Sequence, residues 1–265
     1  MYQSPLESLF TMNRFTQKLI TSPPLSLIFK TPWIGIYPSW AAALAAIPPD
    51  NRVGYDQEET KAVFSRVPTT RVRSADYPIL LHLRNLLQPG MRLVDLGGNI
   101  GMAYYTALKY YPLPEPLEWV ICDVEAVTET GKGVAVREGE KSKALRFVNR
   151  LEDAGHCDIF FSSGTLQFLE EPLPALLKKL PELPKKLLIN RIPVWNRKAI
   201  ATIHDIGFCI CPYCIFNHAE WVKSVEELGY ELVDDWPCPE STFSVRFRPD
   251  LRLNSYHGFY FSRIS

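Results

Sequence analysis

The sequence predicts a doubly wound α/β fold, with a mostly parallel sheet of seven strands that includes an antiparallel strand near the carboxyl terminus. Short apolar segments alternate with helical patterns from residue 92 onward, which implies parallel strands joined by right-handed crossovers. A glycine-rich turn separates the first of these strands from the helix that follows it. The last two strands have no helix between them, so we expect an antiparallel pair at one edge of the sheet.

Apolar periodicity and turn residues place the individual elements. Ile79, Leu83 and Leu86 recur at helical spacing, and Pro89-Gly90 ends that helix. The predicted helices cover residues 6–20, 41–46, 57–65, 75–87, 103–111, 173–180 and 219–228. The predicted strands cover residues 92–96, 118–122, 145–148, 157–161, 186–190, 230–235 and 258–262.

Residues 1–74 are predicted to form a mainly helical N-terminal extension, followed by one domain at residues 75–265. Prolines at positions 23, 24, 32 and 38 interrupt this extension. Trp33, Tyr37 and Trp40 make it too apolar for a free tail. We expect it to pack on the main domain, to join two copies of the chain in a homodimer, or to cover a bound substrate as a lid.

The composition limits the classes of function. The chain has 265 residues, 46% of them hydrophobic, with 29 basic and 29 acidic side chains. A neutral chain without a basic run argues against non-specific binding to nucleic acid or to a membrane surface, because both need a positive field. No segment approaches the ~20 apolar residues of a membrane span, and no export signal is visible. The six cysteines are irregularly spaced, which favours reduced thiols and a cytoplasmic location.

The most informative segment is the turn after the first predicted strand, where the sequence reads Asp95-Leu-Gly-Gly-Asn-Ile-Gly101. Glycines let the backbone pass close to a ligand, and a helix amino terminus presents unpaired amides. A dinucleotide site would need glycine in place of Leu96, and Asp95 would repel a pyrophosphate. S-adenosylmethionine (SAM) has no phosphate and carries an ammonium group, so the sequence favours SAM as the cofactor.

This turn resembles the first motif of SAM-dependent methyltransferases, an acidic residue followed by Gly-x-Gly-x-Gly. The sequence departs from that motif at Asn99, where the middle glycine normally stands. Asparagine is the non-glycine residue that best tolerates a positive φ, so we expect the turn to keep its shape. The resemblance implies that Asp95, Gly97, Gly98, Asn99 and Gly101 hold the cofactor.

A wider set of motifs resembles a family of bacterial methyltransferases whose genes often lie in surface-polysaccharide (O-antigen) regions. The similarity covers roughly residues 35–262. It implies a Rossmann-like methyltransferase fold and SAM, and it leaves the acceptor open. Besides the turn, it rests on Tyr37-Pro-Ser-Trp40, Gly54-Tyr-Asp56, Tyr104-Tyr105, Trp119-Val-Ile-Cys-Asp123, Leu145-Arg-Phe147, Ser162-Ser-Gly-Thr-Leu-Gln167, Asn190-Arg191, Cys211-Pro-Tyr213, Ile215-Phe-Asn217 and Gly229-Tyr-Glu-Leu-Val233.

Asp123 ends the second predicted strand, where SAM-dependent enzymes place an acidic residue that binds the two ribose hydroxyls. It lies 28 positions after Asp95, and the loop at residues 112–116 accounts for the length beyond the roughly 20 positions expected. Val124 is placed beside the cofactor, and Glu125 is the rival candidate for the ribose. The structural alternative is that Asp95 and Asp123 only cap helices.

Ser162 and Ser163 follow the fourth predicted strand, at the edge where open α/β sheets bind ligands. We expect them to line the cofactor and acceptor sites, although either could instead cap the next turn. Asn149, after the third strand, is a candidate for framing the adenine.

Tyr104, Arg191 and Tyr213 are the candidate acceptor-binding residues within the family pattern. Arg191 directly follows the fifth predicted strand, where it could bind an anionic acceptor or pair with a carboxylate.

O-methylation requires a base, because a sugar or alkyl hydroxyl is too weak an acid to react unaided. His204 and His218 flank the segment after the fifth predicted strand and are the best candidates, with Asp205 as an orienting carboxylate. A packing or surface role is the alternative for both histidines.

Cys209, Cys211, Cys214 and His218 form a group that could bind zinc. The spacing is not that of a standard zinc knuckle, and the alternation of Cys209 and Cys211 fits one face of a strand. We therefore predict packing cysteines and no metal.

Three functional hypotheses remain. The first is a SAM-dependent O-methyltransferase acting on a small-molecule acceptor, namely a sugar, a sugar nucleotide or a related hydroxylated metabolite. The second is an N- or C-methyltransferase of natural-product biosynthesis, which would tolerate the loss of both His204 and His218. The third is a non-catalytic SAM-fold binding protein, which the intact Asp95 and Asp123 disfavour.

Overall fold

The computed structural model describes residues 31–49, 53–70 and 72–264. The helix predicted at residues 6–20 lies outside the described residues. Within the described ranges, no helix is both long enough and apolar enough to cross a membrane.

Thirteen strands are found in the described part of the chain, almost twice the seven that the sequence predicts. They are β1 (Trp33–Tyr37), β2 (Arg92–Leu96), β3 (Glu118–Cys122), β4 (Leu145–Val148), β5 (Ile159–Ser163), β6 (Lys186–Ile192), β7 (Val194–Trp195), β8 (Ile200–Asp205), β9 (Ile210–Asn217), β10 (Tyr230–Cys238), β11 (Phe243–Val245), β12 (Arg248–Leu253) and β13 (Tyr256–Arg263).

The helices of the described residues lie close to their predicted positions, with one addition. They are α1 (Trp40–Ala46), α2 (Glu58–Phe64), α3 (Asp76–Leu86), α4 (Met102–Tyr110), α5 (Glu125–Glu138), α6 (Leu173–Leu177) and α7 (His218–Glu226). Short 3₁₀ turns cover Gly139–Ser142, Leu151–Ala154 and Leu166–Phe168.

The main sheet has seven strands in the order β10-β13-β6-β5-β2-β3-β4. All neighbouring pairs from β6 to β4 are parallel, whereas β13 runs antiparallel to both β6 and β10. This confirms the predicted doubly wound sheet and its antiparallel pair at one edge. After β4 the chain crosses back to β5, which lies on the other side of β2, so the order of the strands reverses between β2 and β5. The carboxyl ends of these two strands lie beside each other, which is where ligands bind in such sheets.

Alternate residues of the central strands enter two different cores, as expected for a sheet that is covered on both faces. Leu93 packs with α3 and α4 in one core, and its neighbour Val94 packs with α6 and α7 in the other. Both side chains are completely buried. The continuous apolar run of β2 therefore follows from burial on both sides.

Helix α5 is a difference from the sequence prediction. Its sequence contains Gly131 and Gly133, and glycine disfavours the interior of a helix by about 1 kcal/mol relative to alanine. The Phe147 side chain of β4 packs so closely on the helix that a Cβ at Gly131 would overlap it. Close packing between helix and sheet thus explains a glycine that weakens the local helical signal.

A second, mixed sheet of six strands was not predicted. Its order is β12-β11-β1-β8-β9-β7, so it combines three separate parts of the chain. β1 comes from the predicted N-terminal extension, whose described helices are α1 and α2. The division of the chain at residue 74 stays a prediction, and β1 hydrogen-bonds to β8 across it.

The second sheet forms beyond the carboxyl edge of the main sheet. β6 leads directly into β7, and β13 begins directly after β12, so both connections leave the main sheet at the same edge. Helix α1 packs on one face of the second sheet through Ala43, with Ile34 and Ile203 opposite. The other face joins the core around Trp195 and Phe243. This sheet therefore supplies a wall above the strand ends.

Candidate functional site

A cavity of about 710 Å³ lies at the carboxyl ends of β2, β3, β5 and β6. The glycine turn and the end of β3 form its floor, and the segment after β5 forms one side. Residues from α1, α3 and β9 complete its lining. Eight of the predicted binding residues line it, namely Asp95, Gly97, Gly98, Asn99, Asp123, Val124, Ser163 and Arg191.

The turn has the backbone conformation that its glycines predict. Gly97, Asn99 and Gly101 have φ angles of 72°, 58° and 94°, all in the left-handed region. Asn99 thus replaces the expected glycine without changing the turn, as predicted. A Cβ at Gly97 would overlap the side chain of Thr165 from the segment after β5, so this glycine is required by close approach as well as by φ.

Asp95 lies beneath the turn and is almost completely buried. Its Oδ2 accepts a hydrogen bond of 3.1 Å from Nε1 of Trp119. A Cβ at Gly98 would come within 2.5 Å of the Asp95 carboxyl carbon, so the carboxylate packs directly against the turn. Burial raises the pKa of Asp95 to about 7, the hydrogen bond from Trp119 lowers it, and the charge of Asp123 raises it further.

Asp123 joins the turn to the end of β3. Its two carboxylate oxygens accept hydrogen bonds from the backbone N–H groups of Asn99, at 3.0 Å, and Val124, at 2.8 Å. Burial raises its pKa to about 6, against the lowering effect of these two bonds. Two carboxylates with raised pKa values face one cavity, an arrangement that a cation or several hydroxyl donors would stabilise. Glu125, the rival for the ribose, is exposed outside the lining.

Asn149 and Ser162 lie close to this site but outside the cavity lining. The Asn149 amide donates to the carbonyl of Asp123 at 2.9 Å and to the Thr128 hydroxyl at 2.7 Å. The Ser162 hydroxyl donates to the carbonyl of Leu96 at 3.0 Å. Both side chains tie neighbouring strand ends together, which supports the turn without reaching the cavity. Gly101 likewise begins α4 outside the lining.

Tyr104 and Tyr213 are buried, and neither contributes to the cavity lining. The Tyr104 hydroxyl donates to the carbonyl of Lys141 at 2.6 Å. The Tyr213 hydroxyl donates to that of Tyr256 at 2.7 Å, and its ring lies edge-on to Phe168, 4.9 Å away between centroids. Tyr213 therefore supports a ring that lines the cavity and does not reach an acceptor directly.

The two candidate histidines lie outside the cavity lining. His204 packs against the rings of Trp33, Phe168 and Tyr213, and burial lowers its pKa to about 4. His218 starts α7 and packs against His257. His204 pairs with Cys211 in the β8–β9 ladder, which leaves His218 about 20 Å further along β9. The structure does not bring the two histidines together, and their role as bases stays a prediction.

The cysteine group packs as the strand alternation suggests. The sulfur atoms of Cys209 and Cys211 are 3.7 Å apart, and both side chains are buried. No group of residues suited to a metal ion occurs in the described ranges. Cys211 also lines the cavity, and its thiol pKa is raised by the hydrogen bond with Cys209 and by burial.

Several lining residues were not predicted as binding residues. Trp40 donates from Nε1 to the carbonyl of Phe168 at 2.9 Å, which fixes α1 over the cavity. Tyr55 lies edge-on to the Phe168 ring at 5.6 Å, and burial raises its pKa. The neighbouring Asp56 accepts a hydrogen bond of 2.9 Å from the Ala126 amide at the start of α5. The motif Gly54-Tyr-Asp56 was a signal that could have identified this wall.

Asp76 is a further lining carboxylate that the sequence did not single out. It stands at the start of α3 and accepts a hydrogen bond of 2.9 Å from the backbone N–H of Arg73. Its other oxygen lies 3.4 Å from Nδ2 of the buried Asn190, whose Oδ1 accepts from Trp236 Nε1. Burial raises the pKa of Asp76, while the hydrogen bond and the charge of Arg73 lower it. A predicted helix start gave no hint that this side chain faces a cavity.

The sequence matches no protein-family model, and no curated protein is significantly similar to it. Several solved structures share the fold. The CcbJ methyltransferase from Streptomyces caelestis has a TM-score of 0.52 and 13% identity, covering 81% of this chain and 100% of that chain. The glycopeptide N-methyltransferase MtfA, complexed with S-adenosyl-L-homocysteine (SAH), has a TM-score of 0.52 and 9% identity over 81% of this chain and 100% of its own.

A third similar structure is 1,6-didemethyltoxoflavin-N1-methyltransferase from Burkholderia thailandensis, with bound 1,6-didemethyltoxoflavin and SAH. Its TM-score is 0.52 at 17% identity, covering 78% of this chain and 83% of that chain. At these identities the similarity establishes the fold. The chain therefore has the Rossmann-like fold of SAM-dependent methyltransferases, as the sequence predicted.

Proposed function

We propose that the protein is a SAM-dependent methyltransferase that acts on a small-molecule acceptor. The observation that carries this proposal is the pair of carboxylates, Asp95 and Asp123, held on either side of a left-handed glycine turn in one cavity. Asp95, directly beneath the turn, would repel the pyrophosphate of a dinucleotide. A ligand with an ammonium group, a sulfonium and two ribose hydroxyls would be favoured by both carboxylates.

The residues fit SAM in three places. Gly97, Gly98 and Asn99 line the cavity at the turn, where the methionine part would lie. Asp123 is placed to accept the ribose hydroxyls, and Val124 and Val127 offer an apolar surface to the adenine. Gly101, Asn149 and Ser162 act in this proposal only as supports of the turn and the strand ends. When bound, SAM supplies an electrophilic methyl group on sulfur.

The acceptor that we propose is a hydroxyl of a sugar or related metabolite. Its side of the cavity combines the rings of Trp40, Tyr55 and Phe168 with the polar groups of Ser163 and Arg191. Aromatic rings stack on the apolar faces of flat or cyclic molecules, and the polar groups orient them. The resemblance to bacterial methyltransferases from surface-polysaccharide gene regions supports the same acceptor class.

The proton of the acceptor hydroxyl has to be removed as the methyl group is transferred. Asp76 is the lining carboxylate that is not engaged by the glycine turn, and the fixed amide of Asn190 orients it. We assign it as the group that receives this proton. Tyr55 and Cys211 line the same space, but their raised pKa values keep them protonated at neutral pH.

An amine acceptor is the second candidate, and one observation favours it. Neither His204 nor His218 lines the cavity, so the site offers no imidazole base. An amine is nucleophilic once neutral and needs only weak assistance. The two candidates differ in their dependence on Asp76, because the loss of its carboxylate would affect a hydroxyl acceptor far more than an amine.

Calorimetry on the purified protein tests the cofactor. We expect SAH and SAM to bind with a Kd in the micromolar range, and NAD not to bind. Transfer of radiolabelled methyl groups from SAM to pools of sugars, sugar nucleotides and amines would then identify the acceptor. Heat from NAD together with no heat from SAM or SAH would overturn the proposal.

Two further proposals concern the context of the protein. All six cysteines are free thiols, which supports our proposal of a reducing cytoplasmic location. A homodimer formed through the N-terminal segment is the other proposal, and residues 1–30 of that segment lie outside the described residues. Sedimentation of the full chain, compared with a variant lacking residues 1–30, would test it.

A further inference from the structure

The end of β6 contains a bulge opposite β13. Ile189 pairs with Phe259 and Ile192 pairs with His257, so two residues of β6 face the single residue Gly258. The extra residue is Arg191, whose φ of 55° lies in the left-handed region that disfavours side chains. Bulges of this kind redirect one side chain while the strand continues.

The bulge has a clear consequence for side-chain direction. Ile189 and Ile192 enter the same core although they are three positions apart, which a regular strand would place on opposite faces. Asn190 points to the other side, where its Oδ1 accepts from Trp236. Arg191 packs in neither core of the sheet, and its side chain lines the cavity at the end of the strand. A strained backbone of this kind is retained where the surrounding structure requires it.

Two contacts hold the Arg191 guanidinium in place. Nε donates to the Ser163 hydroxyl at 3.1 Å, and Nη2 donates to the Ser163 carbonyl at 3.0 Å. A Cβ at Gly164 would lie only 3.3 Å from Nη2, so the glycine leaves room for the guanidinium. Both contacts use neutral acceptors, and the remaining N–H groups are left over for a ligand.

No carboxylate of the described residues lies within ion-pair distance of Arg191. The three acidic residues of the cavity have other partners. Asp95 accepts from Trp119, Asp123 accepts from Asn99 and Val124, and Asp76 accepts from Arg73. Arg191 therefore forms no ion pair with any side chain of the described residues. Because a fixed guanidinium matches the geometry of oxyanions, it is suited to bind one.

We propose that Arg191 binds an anionic group of the acceptor, a carboxylate or a phosphate ester, and so selects organic acids or phosphorylated metabolites over neutral ones. This inference rests on the proposed methyltransferase function and names the acceptor class of the same cavity. Ser163 and Gly164 position the guanidinium, and the bulge sets its direction. The apolar part of the acceptor packs on the rings of Trp40, Tyr55 and Phe168.

The test measures binding to the full-length protein saturated with SAH. Three probes are titrated: 4-hydroxybenzoate, phenyl phosphate and the neutral 4-hydroxybenzamide. We expect at least one anion to bind at least tenfold more tightly than the amide, and we expect Arg191→Met to lose this preference. Arg191→Lys should retain only part of the preference for the anion, because lysine keeps the positive charge but not the planar pair of N–H donors. The two anions separate carboxylate from phosphate recognition.

Arg66→Met is the matched control, since Arg66 is exposed and outside the cavity lining. It should leave the preference for the anion unchanged. Equal affinities for the anions and the amide in the wild-type protein, including no binding of any probe, would overturn the proposal. A tenfold or larger loss of affinity for SAH in Arg191→Met would also overturn the proposal, because the arginine would then bind the cofactor's own carboxylate.

The methyltransferase proposal and this inference fail in different ways. If SAH does not bind to the wild-type protein, the proposed function is wrong, and the anion titration of the ligand-free protein still decides the role of Arg191. Thermal unfolding of Arg191→Met separates a binding role from a merely structural one. A large fall in Tm with an unchanged preference for the anion would show that Arg191 only stabilises the fold through its hydrogen bonds to Ser163.

Discussion

Binding of SAH should depend on pH through Asp123. Its pKa in the ligand-free protein is about 6, because burial outweighs the two backbone hydrogen bonds. Ribose hydroxyls donate to the carboxylate and therefore favour its ionised form. At pH 5, a group with this pKa is ionised in about one molecule in eleven. The Kd for SAH should thus be about tenfold higher at pH 5 than at pH 7.5.

Asp123→Asn tests the same reasoning by substitution. The asparagine can accept only one of the two backbone hydrogen bonds, from Asn99 or Val124, and it carries no charge for the ribose. Loss of a hydrogen bond to a charged group costs about 1.5–3 kcal/mol, so the Kd at pH 7.5 should rise about 10- to 100-fold. The tenfold pH effect assigned to Asp123 should disappear in this variant.

Calorimetric titrations at pH 5, 6 and 7.5 provide both measurements, and circular dichroism checks that each variant is folded. Glu125→Gln is the matched control, because Glu125 is the neighbouring exposed carboxylate outside the cavity lining. It should bind SAH like the wild type at each pH. A Kd that does not change with pH, or an Asp123→Asn protein that binds SAH as tightly as the wild type, would refute the role of Asp123.

Four further predictions follow from the same contacts. Gly97→Ala should lower the free energy of unfolding by about 1–2 kcal/mol because of its left-handed φ, and by more because of overlap with Thr165. Denaturant titration measures this change. The control Gly133→Ala, whose Cβ would meet only the end of the Arg137 side chain at 3.9 Å, should be neutral or stabilising. Asp76→Asn should lower kcat about 10²- to 10⁴-fold for a hydroxyl acceptor with an unchanged Kd for SAH; an unaltered kcat would remove Asp76 as the proton acceptor. His204→Phe and His218→Gln should each keep most of the wild-type kcat. A fall in kcat of more than a hundredfold in either variant would identify that histidine as the general base. Asp95 has a pKa raised to about 7 in the folded protein, so its ionisation destabilises the fold as pH rises from about 4 through 7; the stability of Asp95→Asn relative to wild type should therefore increase with pH, by as much as about 4 kcal/mol in urea titrations between pH 4 and pH 8.

The sequence predicted the main sheet because its signals are local. Each central strand is a short apolar run, and burial on both faces requires such a run whatever the remainder of the chain does. The observed bounds of β2, β3 and β4 equal the predicted ones, whereas β5 begins and ends two residues later. As a result Ser163 ends the strand at the cavity while Ser162 points into the sheet.

The second sheet could not be predicted in the same way. Its strands pair across great distances along the chain, as when the Thr202 hydroxyl donates to the carbonyl of Ile34, 168 positions away. Strands such as β11 are only three residues long and carry little periodicity. The wall of the cavity depends on this sheet, so the motifs that contain Trp40 and Cys211 did not by themselves show that these two residues line a cavity.

The order of the residues alone determined the doubly wound fold, the left-handed turn at Gly97 to Gly101 and the acidic residue at the end of the next strand. These follow from the steric limits of neighbouring residues and from burial of a continuous apolar run. Only the tertiary structure decided which side chains meet. It placed His204 among aromatic rings, brought Asp76 into the cavity and turned Arg191 toward it, because each outcome depends on packing between segments that are distant in the chain.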